Sequence, residues 1–236
     1  MDLEGSVVLV TGAGRGIGRA IARAFARQGA HVALMGKTRK NLTEAQREVK
    51  PLGVKSVVLV GDVSEEGDVA RCVAAAEQAL GPVDVLVNNA GIFASGPIDK
   101  FDALVFDRIL AVNLRGPFLM ARAVLPGMKA RRRGHVVNIA STAGRRGFAG
   151  GGPYCASKFG LAGLSEAMMC EARKFDVRVT CVFPSTVATD LARKAGTPAD
   201  PVKSILPDDV AAAVVALVAL PGRAMATSLE VWQTNP

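Results

Sequence analysis

One tyrosine, one tryptophan, two histidines and four cysteines are all that 236 residues hold of those types. Each scarcity excludes something. Cys72, Cys155, Cys170 and Cys181 form no C-x-x-C and no zinc spacing, so neither a disulfide framework nor a structural zinc site is expected. Free thiols in a reducing, cytoplasmic setting are the simpler reading. His31 and His135 stand at predicted strand starts with no third ligand beside them, so no metal site is expected. The chain has no G-x-S-x-G elbow and no G-K-[ST] loop, which sets aside hydrolase and P-loop chemistry. The longest strongly apolar stretch, 211–220, falls short of the ~20 residues a membrane span needs. The opening Met1-Asp2-Leu3-Glu4 has no signal-peptide pattern. A cytoplasmic protein with no membrane partner is the expectation.

Against these absences stand 29 Lys and Arg to 21 Asp and Glu, a formal net charge of +8. That balance favours anionic ligands or partners. The basic residues are spread along the chain, and no aromatics interleave with them to stack bases, so nucleic acid is not expected. The one compact run, Arg131-Arg132-Arg133, reads as a solvated loop.

Half of the residues are apolar, enough for a sizeable core. Short β-branched runs at 6–11, 31–35, 56–60, 83–87, 135–139, 177–183 and 228–232 predict strands. Helical periodicity predicts helices at 15–28, 39–50 (stopped at Pro51), 65–80, 102–110, 112–129, 154–174 and 208–220. Near-continuous apolar strands separated by helices predict an α/β fold: one Rossmann-type, doubly wound parallel sheet of about seven strands with helices on both faces. The whole chain, 1–236, reads as one domain. In such sheets ligands bind beyond the carboxyl ends of the strands, where strand order reverses. The polar and glycine-rich segments fall at those ends: Thr11–Gly18 after the first strand, Gly36–Arg39 after the second, Asp62 after the third, Asn88–Gly91 after the fourth, Ser141 after the fifth and Pro184–Thr189 after the sixth.

Thr11-Gly12-Ala13-Gly14-Arg15-Gly16-Ile17-Gly18 joins the first strand to the first helix. Glycines there let backbone N–H groups approach a phosphate at a helix N-terminus. The spacing is G-x-x-x-G-x-G rather than G-x-G-x-x-G. A site for NAD normally places a carboxylate at the end of the second strand. This chain has Gly36-Lys37-Thr38-Arg39 there, with Arg15 able to face the same spot. Cations converging on a ribose 2′-phosphate predict NADP(H) over NAD(H).

With these motifs in order, the chain resembles the short-chain dehydrogenases/reductases over essentially its whole length. Thr11–Gly18 matches the family's T-G-x-x-x-G-x-G, Asn88-Asn89-Ala90-Gly91 its N-N-A-G, and Asp62-Val63 the pair that meets the adenine. Asn113, Ser141, Tyr154 and Lys158 match its four catalytic positions, the last two within Y-x-x-x-K. The resemblance implies a cofactor cleft lined by Gly12, Gly14, Arg15, Gly16, Ile17, Gly18, Lys37, Thr38, Arg39, Asp62, Val63, Asn89, Ala90, Gly91, Tyr154, Lys158, Pro184, Val187 and Thr189. Two departures stand out. The P-G after the sixth strand reads Pro184-Ser185, which is expected to reshape the nicotinamide pocket slightly. No V-D-G-G follows the last strand, where Glu230-Val231-Trp232-Gln233 stands instead. That ending resembles carbonyl reductases and 3-hydroxy acid dehydrogenases more than 3-oxoacyl-carrier-protein reductases.

Tyr154 and Lys158 are four apart on a predicted helix and share a face. A phenol titrates near pH 10, and an ammonium nearby is expected to lower that value toward the working pH. The resemblance implies that Tyr154 protonates a carbonyl oxygen, Ser141 positions that oxygen, and Lys158 tunes Tyr154 and holds the nicotinamide ribose. It further implies that Asn113 anchors a water leading from Lys158 to solvent. The hydride itself is cofactor chemistry.

The expected activity is reduction of a ketone or 3-oxoacyl group. Alternatives are oxidation of a hydroxy acid or sugar alcohol, or an idle NADP-binding regulator. An acyl carrier protein is a conceivable partner: it is acidic, and Lys129 and Arg131–Arg133 lie near the expected dock, although Phe175 stands where a basic residue is expected. Segment 188–206, with Gly196, Pro198 and Pro201, reads as a mobile substrate lid. Cys155 beside Tyr154 reads as packing. Helices 112–129 and 154–174 carry small residues, among them Ala156, Gly160, Ala162 and Gly163, that allow close approach, and the resemblance implies that these two helices pair between subunits in a homotetramer or homodimer.

Overall fold

Along β1 (Val7–Thr11) the side chains alternate between two apolar layers. Val8 and Val10 face Ile21, Phe25, Leu42 and Val214, while Val7 and Leu9 face Val73, Met120 and Met168. A strand buried on both faces needs no polar alternation, and this is why the strands read as continuous valine-rich runs. The computed structural model that carries this arrangement describes residues 1–194, Asp200 and 203–234.

The remaining elements alternate around that strand: α1 (Gly16–Arg27), β2 (His31–Gly36), α2 (Arg39–Val49), β3 (Ser56–Val60), α3 (Glu66–Leu80), β4 (Val85–Asn88), α4 (Ala103–Leu110), α5 (Gly116–Arg131), β5 (Gly134–Ile139), α6 (Gly152–Ala172), β6 (Val177–Pro184), α7 (Asp190–Lys194), α8 (Pro207–Ala219) and β7 (Ser228–Val231). The sheet runs β3-β2-β1-β4-β5-β6-β7, with every pairing parallel. Strand order reverses between β1 and β4. The expected seven-stranded, doubly wound α/β sheet is the one observed.

Four sequence readings are refined or left open by the structure. First, the predicted helices 102–110 and 112–129 are one continuous run, α4 and α5 joined by a single π turn at Ala111–Arg115. Pro117 has no N–H to give the carbonyl of Asn113, four residues back, and the wider turn absorbs the defect. The joined run, Ala103–Arg131, is 29 residues long and passes as a membrane span by length and composition. Leu119, Met120, Val124 and Met128 commit one side of it to the sheet.

Second, Arg131–Arg133 is exposed to solvent as read, but Arg131 ends α5 and each of the three side chains has a partner. Arg131 donates to the Val83 carbonyl at 3.0 Å, Arg132 to Asp176 at 2.8 Å, and Arg133 pairs with Asp84 at 3.1 Å. The three arginines pin the amino ends of β4, β5 and β6, the edge of the sheet opposite the ligand end. His135 is buried at that same edge, 2.8 Å from the Thr180 hydroxyl, and the ring of His31 accepts from the Lys55 amide.

Third, α6 begins at Gly152, two residues before the predicted start, with Pro153 in its first turn, so Tyr154 is the third residue of the helix. Fourth, the expected lid is described only at 188–194, Asp200 and 203–206. Gly196, Pro198 and Pro201 lie outside the described residues. The base of the segment is closed where Ala188 donates to the Ile205 carbonyl at 2.8 Å.

Candidate active site

Thr11, the last residue of β1, ties the two strands at which the order reverses. Its hydroxyl accepts from the Asn89 and Ala90 amides at 3.0 and 3.1 Å and reaches the Val87 carbonyl at 3.3 Å. The loop after β1 is thereby held against the loop after β4. Gly12 makes that approach possible. Its φ is +65°, and a Cβ there would lie 2.9 Å from both the Ala90 Cα and the Asn89 amide nitrogen. Gly18, inside α1, is packed tighter still: a Cβ would stand 2.4 Å from the Gly12 carbonyl oxygen. The N-terminus of α1 has no side-chain cap and no acidic residue in its first turn. Its free N–H groups and dipole suit a phosphate.

These elements open a cleft of ≈ 530 Å³, within the range of pockets that bury small ligands and cofactors. It takes in Gly12, Gly14, Arg15, Gly16 and Ile17 of the glycine loop, together with Lys37, Thr38, Asp62, Val63, Asn89, Ala90, Gly91, Tyr154, Lys158 and Thr189. Gly18, Arg39, Pro184, Val187, Asn113 and Ser141 do not line it. Gly18 lies beneath the loop. Arg39 is exposed as the first residue of α2. Pro184 and Val187 are buried, Val187 in a bridge to Ile205. Arg108, Asn41 and Ile92 line the cleft without having been foreseen.

No carboxylate stands at the end of β2, as read, but Asp62 from the end of β3 enters the cationic corner. β2 and β3 pair Gly36 with Val60, so the residues just beyond them abut, and Lys37 meets Asp62 at 2.9 Å. Arg108 reaches the same carboxylate from α4 at 2.5 Å. Burial pushes the Asp62 carboxyl up, but hydrogen bonds from Lys37, the Ser64 amide, Arg108 and the Ser64 hydroxyl outweigh it and hold it well below the carboxylate range. Arg15 lines the cleft with its guanidinium 3.8 Å from Asp190. Both Lys37 and Arg15 remain largely exposed, at 66% and 60%.

Asn113 sits in the π turn, fully buried. Its carbonyl oxygen accepts from the Ile92 amide at 2.9 Å, and its amide donates to the Ile92 carbonyl at 2.9 Å and to Ser157 at 3.1 Å. The Ser157 hydroxyl in turn donates to the Tyr154 carbonyl at 2.7 Å. Asn113 therefore fixes the loop after β4 to the helix that carries Tyr154. Sequence reasoning missed Ser157, although Pro117 signalled the irregular turn. Ser141 accepts from the Ala143 amide at 3.2 Å, which holds its hydroxyl at the end of β5.

Lys158 is 4% exposed and donates to the Ile139 carbonyl at 2.9 Å. Burial pushes its ammonium down to about 8, with the neighbouring Cys181 opposing. Its nitrogen lies 5.7 Å from the centre of the Tyr154 ring. The expected lowering of the Tyr154 phenol is not what this structure has: burial pushes it up to about 12, against a hydrogen bond with Ser141. The ammonium is spent on a backbone carbonyl, Lys158 is buried and Tyr154 half-buried, and desolvation of the phenolate outweighs the pull of the cation.

This has a clean readout, because Tyr154 is the only tyrosine. Tyrosinate absorbance of the cofactor-free protein should rise only as pH approaches about 12. A midpoint at or below the ordinary 10.0 would contradict the geometry.

Known proteins share this arrangement. The model of a family described as short chain dehydrogenase matches residues 6–200. The 3-ketodihydrosphingosine reductase of Bos taurus is 38% identical over 192 residues, 79% of this chain. The chain spans 58% of that protein's length. The sepiapterin reductase of Chlorobaculum tepidum is 34% identical over 238 residues, 97% of this chain and 96% of that one. A metagenomic short-chain oxidoreductase, solved in complex with NADP, superposes with a TM-score of 0.87 at 36% identity, covering 99% of this chain and 100% of the other. A match that runs from the glycine loop through the helix of Tyr154 and Lys158 leaves one assignment: the chain belongs to the short chain dehydrogenase family.

Proposed function

We propose that this chain is an NADP(H)-dependent oxidoreductase that reduces a ketone or 3-oxoacyl group to a secondary alcohol. The observation that carries the reading is the convergence of Tyr154 and Lys158 with an uncapped α1 N-terminus on one cleft. The residues fit a dinucleotide: the glycine loop leaves a cradle that any Cβ at Gly12 would fill, and Lys37 and Arg15 stand exposed beside it. Such a cofactor would be held at its pyrophosphate by the first turn of α1, at a 2′-phosphate by Lys37 and Arg15, and at its nicotinamide ribose by Tyr154 and Lys158. It supplies the hydride.

The protein's own steps concern a proton and its placement. Tyr154 is neutral at working pH and can give its proton to a carbonyl oxygen, with Ser141 holding that oxygen by a hydrogen bond. Lys158 is the cation nearest the phenol and stabilises the phenolate left behind. The Asn113 side chain fixes Ile92 and Ser157 and so holds the two walls at a constant separation.

Lys37→Ala tests the cofactor assignment. An anion arriving at this corner competes with Asp62 for the ammonium, and a charge-assisted hydrogen bond contributes about 1.5–3 kcal/mol. NADPH affinity should fall roughly 10–100-fold while NADH affinity changes little. Equal losses for both would refute a 2′-phosphate contact. The substrate assignment is tested by initial rates of NADPH oxidation with an acetoacetyl thioester and with a simple diketone. Preference for the thioester supports a 3-oxoacyl reductase, turnover of the diketone alone a general carbonyl reductase, and turnover of neither contradicts the reading.

Arg131–Arg133 stands at the edge of the sheet opposite the cleft, paired with Val83, Asp84 and Asp176, and does not carry a carrier-protein dock in this reading. Lys129 and Lys174, at 5.4 and 5.5 Å from the Phe175 ring, are the cations that such a dock would use. Exposed Phe118 on α5 and Phe159 on α6 support association as a homodimer or homotetramer.

A further inference from the structure

Two loops meet beside Tyr154. The one after β4 carries Phe93 and Ile98, and the one after β5 carries Phe148. The Gly96 amide donates to the Gly150 carbonyl at 3.0 Å and joins them. Phe93 meets the Tyr154 ring edge-on, with centroids 5.1 Å apart at 77°, and stacks against Phe148 at 6.5 Å and 19°. Phe148 and Ile98 rest on the first residues of α6. A Cβ on Gly151 would lie 2.4 Å from the Phe148 ring, and one on Gly152 would lie 2.9 Å from the end of Ile98. Yet Phe148 and Ile98 stay 50% and 74% exposed. Large apolar side chains exposed singly are ordinary; three forming one patch against a catalytic side chain mark a binding surface.

The neighbouring charges do not change that character. Arg145 lies 4.0 Å over the Phe183 ring and pairs with Glu230 at 3.6 Å. Arg146, two residues before Phe148, lies 5.9 Å from the ring centre of Trp232. Neither interrupts the apolar wall.

We propose that Phe93 and Phe148 are specificity-determining residues, and that they select carbonyl compounds bearing a bulky, flat apolar group, aromatic by preference, next to the C=O. The inference rests on the carbonyl-reductase reading above. A carbonyl oxygen within hydrogen-bonding reach of Tyr154 places the substituents of its carbon against the rings that flank the phenol. An aromatic substituent finds edge-to-face and offset-stacked partners there. A polyhydroxylated substituent would lose water and gain no hydrogen bond from Phe93, Phe148 or Ile98.

The test compares kcat/KM for benzil, diacetyl and fructose with NADPH, in the wild-type protein and in Phe148→Ala, Phe148→Tyr and Phe93→Leu. NADPH binding, read by fluorescence of Trp232, the only tryptophan, establishes that each variant is folded and loaded. The wild type should favour benzil over diacetyl by at least about tenfold, the discrimination an apolar pocket achieves. Phe148→Ala and Phe93→Leu should lower the benzil-to-diacetyl ratio about tenfold or more, and Phe148→Tyr should retain it. A merely structural role would lower both substrates together and leave the ratio in place, which would overturn the assignment of the two phenylalanines. Diacetyl or fructose preferred over benzil by the wild type would overturn the substrate class and leave the carbonyl-reductase reading standing. NADPH binding with no turnover of any of the three would overturn that reading, and this inference with it.

Discussion

Tyr154→Phe should lower kcat for carbonyl reduction by about 10²–10⁴-fold, the range that a positioned general acid contributes, and leave NADPH affinity within a few-fold of wild type. The substitution is sharply defined because phenylalanine keeps everything the ring does. Its edge contact with Phe93 at 5.1 Å and its place beside the Lys158 ammonium survive. Only the hydroxyl is lost, and no neighbour replaces it. Lys158 directs its ammonium at the Ile139 carbonyl, and the Ser141 hydroxyl, which accepts from the Ala143 amide, can hold an oxygen by a hydrogen bond but is no proton source of its own. Steady-state rates together with Trp232 fluorescence separate chemistry from binding. A variant that kept more than about a tenth of the wild-type kcat would remove Tyr154 from the proton-transfer role. A Tyr154→Phe variant with lost turnover but full cellular function would instead revive the alternative of a dinucleotide-binding regulator with no catalytic task.

Gly18→Ala should weaken dinucleotide binding by more than about tenfold although Gly18 does not line the cleft. The added Cβ would fall 2.4 Å from both the Gly12 carbonyl oxygen and the Asn89 amide nitrogen. Neither can swing away: one is backbone, and the other donates to the Thr11 carbonyl at 2.9 Å. α1 must therefore back off from the loop. Overpacking of this kind costs about 1–3 kcal/mol, and a displacement of the α1 N-terminus spoils a phosphate seat built from backbone N–H groups. Gly67→Ala is the matched control. Gly67 lies in α3, and its Cβ would meet nothing within 4 Å, so stability should hold or improve by up to about 1 kcal/mol and binding should not change. Chemical denaturation and NADPH titration of both variants check the contrast. Equal behaviour would mean that the packing of α1 on Asn89 does not govern the seat.

The features visible in the sequence were those encoded by short-range pattern. Valine-rich runs gave the strands, and their order placed Thr11–Gly18, Asn89–Gly91 and the Tyr154 helix at one end of the sheet. What escaped depends on residues far apart in sequence. The Lys37–Asp62 pair arises from the register of β2 against β3, which no local pattern in either strand reveals. The pairing of Arg131–Arg133 escaped because its partners, Val83, Asp84 and Asp176, come from other connections. Arg108 reaches Asp62 across the cleft from a helix with no motif. The π turn at Asn113 had a local signal in Pro117, but the same proline is compatible with a simple break between two helices. The phenol of Tyr154 was expected to be acidified because the lysine four residues on shares its face. Burial and the Ile139 carbonyl decide otherwise in the cofactor-free protein.

The most direct measurement of the central claim follows a labelled hydride. The protein is incubated with benzil and NADPH carrying deuterium at the transferable position, and the product is analysed by mass spectrometry. A secondary alcohol with one deuterium on its carbinol carbon, formed by the wild-type protein and absent with Tyr154→Phe over the same interval, is the predicted result. Unlabelled product, or labelled product formed equally by both proteins, would contradict a carbonyl reductase whose proton comes from Tyr154.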